Sequence, residues 1–193
     1  MSMDRLKALE ERLPELYRNA SCDHDLSHVR RVVRNARVVG KREGADMSVL
    51  LPAAMLHDIA LERGTLQETN DKHAVLGAEK ARGILEGMGF ERMDAICSTI
   101  RQHSIDNPTG EPRTLEGDCL FDADKLDAIT PTGLARLLQE SALTWNMGPE
   151  EAVKRFRGIV RDFRFRTGAG RELGKDSKEA LDFCNGIIRS SRI

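Results

Sequence analysis

The sequence predicts an all-α fold, in which a single domain is built as a bundle of helices. Apolar residues recur at helical spacing along most of the 193-residue chain, and no segment shows the apolar–polar alternation of a half-buried strand. The aromatic fraction of 4% is also low for a β-sandwich. We expect one domain over residues 1–193, with a motif-bearing core at about 20–140 and C-terminal helices at 149–190.

The first three predicted helices cover residues 3–18, 27–42 and 48–60. Ser27 and Ser48 are suitable N-caps for the second and third helices, and Gly44 is expected to end the second. In the third helix His57 continues an apolar stripe at i+7, so its imidazole is expected to turn toward the core. The apolar stripes of the three helices consist of Leu6, Leu9, Leu13 and Leu16; of Val29, Val32, Val33 and Ala36; and of Leu50, Ala53 and Ala54.

The later elements are separated by segments rich in glycine, proline and charged residues. Loops are predicted at 62–69, where Gly64 lies among alternating charges, at 104–113, which holds two prolines, and at 167–174, which holds three glycines. Helical patterns lie between and after these loops. They cover residues 70–87, 91–103, 115–129, 133–144, 149–165 and 175–189.

Composition argues for a soluble intracellular protein. Thirty Lys and Arg residues nearly balance 31 Asp and Glu residues, so no net field favours nucleic acid or an acidic membrane surface. The N-terminus lacks the pattern of a secretory signal, and no apolar run approaches the roughly 20 residues of a membrane span. The four cysteines are widely spaced and are expected to be reduced thiols. We therefore expect a cytoplasmic location.

The histidines form an unusual pattern. All five lie in the first 103 residues, and four of them fall on or beside the apolar face of separate helices: His28, His57, His73 and His103. One inward histidine is usually a core residue with a hydrogen-bond partner, but four must find partners within the same small core. A bound metal ion would provide a common partner.

Carboxylates in the predicted helix 115–129 complete the candidate site. Asp122 and Asp124 lie in an almost wholly apolar run, and buried carboxylates need a cation or several hydrogen bonds. The two side chains are about 200° apart on a helix, so spacing alone does not place both on one ion. Mixed imidazole and carboxylate ligands suit Mn, Fe, Co, Ni or Zn, whereas oxygen-only sites suit Mg or Ca.

The ordered pattern His28…His57-Asp58…Asp124 resembles the HD superfamily of metal-dependent phosphohydrolases. The segment from His24 to Val32 is similar to the family's opening helix, and residues 53–59 to its His-Asp motif. The stretches at 103–104 and 122–129 are similar to a branch of small bacterial and archaeal HD proteins. The resemblance covers about residues 20–140.

The resemblance implies one divalent metal bound by His28, His57, Asp58 and Asp124, with water activated by the metal attacking a phosphate ester or anhydride. Asp124 is preferred to Asp122 because the family usually places its last ligand in an Ala-Asp-x-Leu context. Asp122 is then interpreted as a carboxylate that caps or supports the site. The candidate catalytic residues are Asp58, which would orient the water, and Lys125 and Arg31, which would neutralise the phosphoryl charge.

His73 and His103 decide the subtype. In two-metal members of the family, histidines in this order bind the second ion, and they otherwise contact substrate. We expect one divalent ion (Mn, Fe, Co, Ni, Zn or Mg), with two as the alternative. The expected ligand is a nucleotide or another small phosphorylated metabolite.

Two other functions stay open, namely a dinuclear-iron oxygenase and a non-catalytic metal-binding regulatory domain. The intact ligand set argues against the regulatory domain. A cyclic-dinucleotide phosphodiesterase of the HD-GYP type is disfavoured, because no Gly-Tyr-Pro follows the His-Asp pair. Nucleic-acid binding is disfavoured because no aromatic residues lie among the arginines at 30–37. A homodimer is left open.

Overall fold

The computed structural model describes residues 3–63, 72–105, 109–162 and 164–177, together with residues 182, 184 and 186. Within these residues the chain is helical, and the β-structure consists of an isolated bridge between Ala20 and Glu62. The predicted all-α fold is therefore confirmed. Nine α-helices and one 3₁₀ helix (Gly174–Ser177) are described. The α-helices are α1 (Met3–Leu16), α2 (Leu26–Glu43), α3 (Met47–Leu56), α4 (His73–Gly87), α5 (Met93–Gln102), α6 (Leu115–Ala128), α7 (Pro131–Thr144), α8 (Pro149–Asp162) and α9 (Gly168–Leu173).

Helix α3 lies at the centre of the bundle. Every residue from Val49 to Leu56 is buried, which is the pattern of a helix surrounded by others. Helices α2, α5 and α6 pack around it, and α1 and α4 also contact it. The His57-Asp58 pair follows at the C-terminal end of α3, so the fold carries these two polar side chains into the interior.

Two predicted helix caps are wrong. Helix α2 begins after Asp25, whose carboxylate accepts a hydrogen bond from His28 N at 2.9 Å, while Ser27 lies in the first turn. Helix α3 likewise begins after Asp46, which accepts from Ser48 N at 2.8 Å. In both cases a nearby aspartate takes the role that serine could also fill. The predicted end of α2 is confirmed, because Gly44 adopts a left-handed φ of 75°.

The C-terminal part differs from the prediction in one element. The glycine-rich stretch at 167–174 is not a loop, because residues 168–173 form α9. Thr167 caps this helix by accepting a hydrogen bond from Gly170 N at 2.9 Å. The predicted loop at 62–69 falls partly on residues 64–71, which lie outside the described residues. The predicted loop at 104–113 likewise includes residues 106–108, which lie outside them. Most of the predicted helix at 175–189 lies outside them as well.

Helices α7 and α8 form a second, smaller packing unit beside the main bundle. Leu134 of α7 and Val153 and Phe156 of α8 are buried against one another, together with Cys184. Among the described residues, no helix has the length and apolar character needed to cross a membrane.

Candidate metal centre

Four helices bring polar side chains to one point inside the bundle. His28 comes from the first turn of α2, and the His57-Asp58 pair follows α3. His103 follows α5, and Asp124 lies in α6. Each of these side chains is buried, with Asp124 the most exposed at 8% for the whole residue. The interior position predicted for the histidines is thus what the structure shows for His28, His57 and His103.

The carboxylate of Asp58 lies at the centre of this cluster. Its Oδ2 atom is 3.1 Å from His57 Nε2 and 3.3 Å from His28 Nε2. Its Oδ1 atom is 3.4 Å from His103 Nε2. Asp124 also belongs to the cluster, since its Oδ1 atom is 3.5 Å from His28 Nε2. The four residues predicted to bind one metal are therefore neighbours in the structure.

Two trios of ligand atoms share Asp58. One contains His28 and His57, the other His73 and His103, and within each trio the ligand atoms lie within 4.8 Å of one another. In the second trio the Nε2 atoms of His73 and His103 are 3.2 Å apart. The geometry places both His73 and His103 beside the shared carboxylate of Asp58.

The histidines are held through their Nδ1 atoms. His57 Nδ1 contacts the carbonyl oxygen of Ala54 at 3.0 Å, and His103 Nδ1 contacts that of Ile100 at 2.6 Å. A carbonyl only accepts hydrogen bonds, so each Nδ1 carries the proton and each Nε2 presents a lone pair to the cluster. This is the tautomer that a metal-binding histidine needs.

His28 is oriented by a carboxylate that the sequence analysis did not select. Its Nδ1 donates to Asp127 Oδ2 at 2.8 Å. Asp127 also accepts from Arg31 Nε at 2.5 Å and from Arg136 Nη2 at 2.7 Å. Burial alone would raise the pKa of Asp127, but the hydrogen bonds from His28 and Arg31 outweigh it and lower the pKa. An ionised Asp127 thus makes the His28 imidazole a more basic ligand.

The residues fit a divalent cation. The Nε2 atoms of His28 and His57 are buried and have no hydrogen-bond partner within the part of the chain that the structure describes. A buried polar atom without a partner costs about 1–3 kcal/mol, and both of these point at the same carboxylate. A cation bound there would satisfy both nitrogens at once.

The carboxylates of the cluster are ionised. For Asp58 and for Asp124, burial is the largest influence and would raise the pKa. It is outweighed by the polar groups around each carboxylate, chiefly the His57 and His24 imidazoles for Asp58, and the Lys125 ammonium and the His28 imidazole for Asp124, so both pKa values fall below the ordinary range. Ionised carboxylates are the form that binds metal.

The other predicted site residues lie at three different places. Lys125 is beside the cluster, with Nζ 2.8 Å from Asp124 Oδ2. Arg31 lies behind His28 on Asp127 and lines a separate groove along α2. Asp122 points away from the histidines, toward the start of α9, where it accepts hydrogen bonds from the backbone N of Arg166 (2.8 Å) and from Thr167 Oγ1 (2.6 Å). The structure therefore brings Asp124, and not Asp122, to the cluster.

Asp122 and Arg166 support the site indirectly. The Arg166 guanidinium lies 3.5 Å from the centroid of the Phe121 ring. It also donates to the carbonyl oxygens of Gln102, at 3.0 Å, and Ser104, at 3.3 Å, on either side of His103. Asp122 holds the Arg166 backbone, so this network fixes the end of α5, from which His103 projects.

The class of protein follows from a comparison of this chain with known families. A family model for the HD domain matches residues 25–129, which is more than half of the chain. The chain belongs to the HD domain family. The matched segment contains His28, the His57-Asp58 pair and Asp124, as well as His73 and His103.

Relatives and solved structures agree with this assignment. YpgQ of Bacillus subtilis is 31% identical over 125 residues, covering 60% of this chain and 56% of YpgQ. Ribonuclease Y of Clostridium perfringens is 28% identical over 180 residues, covering 90% of this chain and 32% of that protein. The chain thus spans about half of the first relative and about a third of the second.

Among solved structures, a predicted HD superfamily hydrolase from an uncultured Thermotogales bacterium is 29% identical, with a TM-score of 0.65 over 97% of this chain and 95% of the other. The structure of B. subtilis YpgQ in complex with ADP gives a TM-score of 0.73 at 23% identity, over 97% and 95% of the two chains. The likeness to the Thermotogales protein supports hydrolase as the general class, and the likeness to YpgQ supports the fold.

Proposed function

We propose that this protein is a metal-dependent phosphohydrolase that cleaves a phosphate ester or anhydride bond of a nucleotide or another small phosphorylated metabolite. One observation carries the proposal. The buried Nε2 atoms of His28 and His57 have no partner among the described residues, and they converge on the ionised carboxylate of Asp58. This donor set suits Mn, Fe, Co, Ni or Zn.

The ligands of the proposed primary ion are His28, His57, Asp58 and Asp124. His73 and His103, with Asp58 shared, would hold a second ion or contact the substrate. A bound divalent ion supplies Lewis-acid polarisation of a phosphoryl oxygen and of the attacking water. Asp58 belongs to both trios, so its carboxylate would lie beside the metal-bound water and orient it.

Two cationic side chains are placed to receive the phosphate. Lys125 lines the cavity next to the cluster and has about 17% of its side chain exposed. Arg136 lines the same cavity, and its Nε atom is buried with no hydrogen-bond partner within the described part of the chain. Both can neutralise charge that develops on phosphoryl oxygens during hydrolysis. In this proposal Arg31 acts at a distance, by holding Asp127 behind His28.

Nucleotides are the substrate class that we favour. YpgQ, which shares the fold, has been solved in complex with ADP. The cavity beside the cluster has a volume of about 290 Å³, which is near the lower end for small-molecule sites. It therefore has room for a small phosphorylated molecule.

The proposal is tested by phosphate and pyrophosphate release from a panel of nucleotides, phosphomonoesters, pyrophosphate and a short oligoribonucleotide. The metal-stripped protein is assayed with Mn²⁺, Co²⁺, Ni²⁺ or Mg²⁺ added. We expect metal-dependent release that falls by at least about 1000-fold in Asp58→Asn, because that variant loses the shared ligand. The matched control is Asp94→Asn, which removes an exposed carboxylate paired with Arg82 and should keep full activity. Absence of release with every metal and substrate would overturn the proposal.

A second candidate function is favoured by the trio that contains His73 and His103. Two ions sharing Asp58 would match the dinuclear-iron oxygenases of the HD type, to which the histidine order is also similar. That function requires two irons per chain and consumption of oxygen with an organic substrate. Iron-loaded protein that consumes oxygen but releases no phosphate would select it over the phosphohydrolase.

A further inference from the structure

The cavity that contains the histidine cluster has a second wall, formed by α7 and α8. From α7 the lining residues are Gly133, Arg136, Leu137 and Glu140, at helical spacings of three and four. From α8 they are Arg155, Phe156 and Ile159, and Trp145 follows the end of α7. The family model ends at residue 129, so this wall lies outside the matched segment.

The α7–α8 wall differs in chemistry from the metal centre. Leu137, Phe156 and Ile159 give it an apolar surface, and Trp145 adds an indole ring. Arg155 lies across that ring, with its guanidinium carbon 6.0 Å from the ring centroid. A half-buried tryptophan with an exposed arginine beside it is a surface on which a planar aromatic group stacks.

Core packing among the described residues does not account for the position of the Trp145 ring. Phe156 is 1% exposed and belongs to the small core between α7 and α8. Trp145, by contrast, is only partly buried and is not a member of the core clusters formed by the described residues. Its ring is thus available to the cavity.

Arg136 connects the two parts of the lining. Its Nη2 atom binds Asp127, behind His28, while its buried Nε has no partner among the described residues. An anionic oxygen would satisfy this donor. A phosphate at Arg136 and Lys125 would therefore lie between the metal centre and the α7–α8 wall.

We propose that Trp145 and Arg155 form a subsite for the base of a nucleotide whose phosphates bind at Arg136 and Lys125. This subsite rests on the proposed function, since it assumes that phosphates face the metal centre. It makes the chain selective for nucleotides over pyrophosphate and over phosphomonoesters without an aromatic group.

The experiment uses the intrinsic fluorescence of the protein, because Trp145 is the one tryptophan in the 193-residue sequence. The full chain is titrated in EDTA with ADP, ribose 5-phosphate and pyrophosphate, with excitation at the red edge of the indole band, where adenine does not absorb. ADP should change the emission of Trp145, whereas pyrophosphate and ribose 5-phosphate should leave it largely unchanged.

Affinity measurements by calorimetry on variants complete the test. We expect Trp145→Leu to weaken ADP binding by about 5- to 150-fold, the range for loss of one base–aromatic stack, and to leave pyrophosphate binding unchanged. Trp145→Phe should retain most of the ADP affinity and guards against misfolding of the leucine variant. Arg155→Gln should also weaken ADP binding, while Arg157→Gln, on a different groove of α8, should not.

The outcomes separate this subsite from the proposed function. ADP-specific changes in Trp145 emission without hydrolysis of any substrate would support the subsite and reject the phosphohydrolase. Hydrolysis of ADP with unchanged emission and equal ADP affinity in Trp145→Leu would overturn the subsite and leave the phosphohydrolase in place. Equal weakening of ADP and pyrophosphate binding in Trp145→Phe would also overturn the subsite.

Discussion

Replacement of Asp127 by asparagine should weaken the metal centre without removing any of its ligands. The Asp127 carboxylate accepts hydrogen bonds from three side chains, with distances of 2.8 Å to His28 Nδ1, 2.5 Å to Arg31 Nε and 2.7 Å to Arg136 Nη2. Asparagine is similar in shape and retains one acceptor oxygen. It loses the charge, however, so His28 becomes less basic and the two guanidinium groups lose their shared counter-ion.

The expected magnitude has two parts. Loss of a carboxylate that orients a metal-binding histidine typically costs 10–100-fold in metal affinity, about 1.4–2.8 kcal/mol. Removing one partner from a buried ion pair costs about 3–5 kcal/mol of folding free energy. The side chains of Arg31 and Arg136 are 22% and 13% exposed, so water replaces part of the lost interaction. We therefore expect a stability loss of about 2–3 kcal/mol.

Titration calorimetry with Mn²⁺ measures the loss of metal affinity, and urea unfolding of the metal-free protein measures the loss of stability. Asp94→Asn serves as the control, since its ion pair with Arg82 is exposed to solvent, where such pairs contribute little to stability, and lies away from the cluster. Wild-type Mn²⁺ affinity in Asp127→Asn would refute the reasoning that this carboxylate tunes His28. A fall in affinity that also occurs in the control would point to a general charge effect instead.

Three further predictions concern the surroundings of the site. Gly77→Ala should destabilise the protein by about 1–3 kcal/mol in urea unfolding, because the added Cβ would lie 2.9 Å from the His57 carbonyl oxygen. Its control is Gly83→Ala on the same helix, where an added Cβ meets no atom within 4 Å and should be neutral or stabilising. Arg166→Ala should lower the free energy of unfolding by about 2–4 kcal/mol in the same assay, and Arg166→Lys should lower it less. An unchanged free energy of unfolding in the alanine variant would contradict the proposed role of Arg166 in holding the end of α5 near His103. Burial and the hydrogen bond to Glu140 raise the pKa of the Cys22 thiol from 9.0 to about 12. At pH 8 its alkylation should therefore be roughly 1000-fold slower than that of an ordinary thiol, and should accelerate as the pH rises toward 12. We expect faster labelling of Cys22 in Glu140→Gln, measured by mass spectrometry of the alkylated protein. An unchanged rate would contradict the role of the Cys22–Glu140 hydrogen bond.

Periodicity was sufficient to predict the helical class and the inward histidines. His57 extends the apolar stripe of α3, and in the structure it is fully buried at the end of that helix. The resemblance to the HD superfamily then indicated four residues, Asp58 among them, that lie together in the structure. These signals are local in sequence, so a single chain displays them.

Long-range partners could not be predicted in this way. Asp127 and His28 are 99 residues apart, and nothing in either local pattern indicates that they form a pair. Asp122 and Asp124 are both buried on α6, and only the packing of residues 166–167 shows that Asp122 faces away from the cluster. Helix α9 was missed because its glycines indicate a loop, while the cap that starts it depends on Thr167.

The central claim is that the side chains around Asp58 hold a divalent metal. The most direct test is metal content per chain by mass spectrometry, after loading with Mn²⁺ and removal of free ions, in wild type, His57→Gln, Asp58→Asn and the Asp94→Asn control. The account predicts at least one retained ion in wild type and control, and almost none in the other two variants. Equal retention in all four proteins, or retention in none of them with any divalent metal, would contradict it.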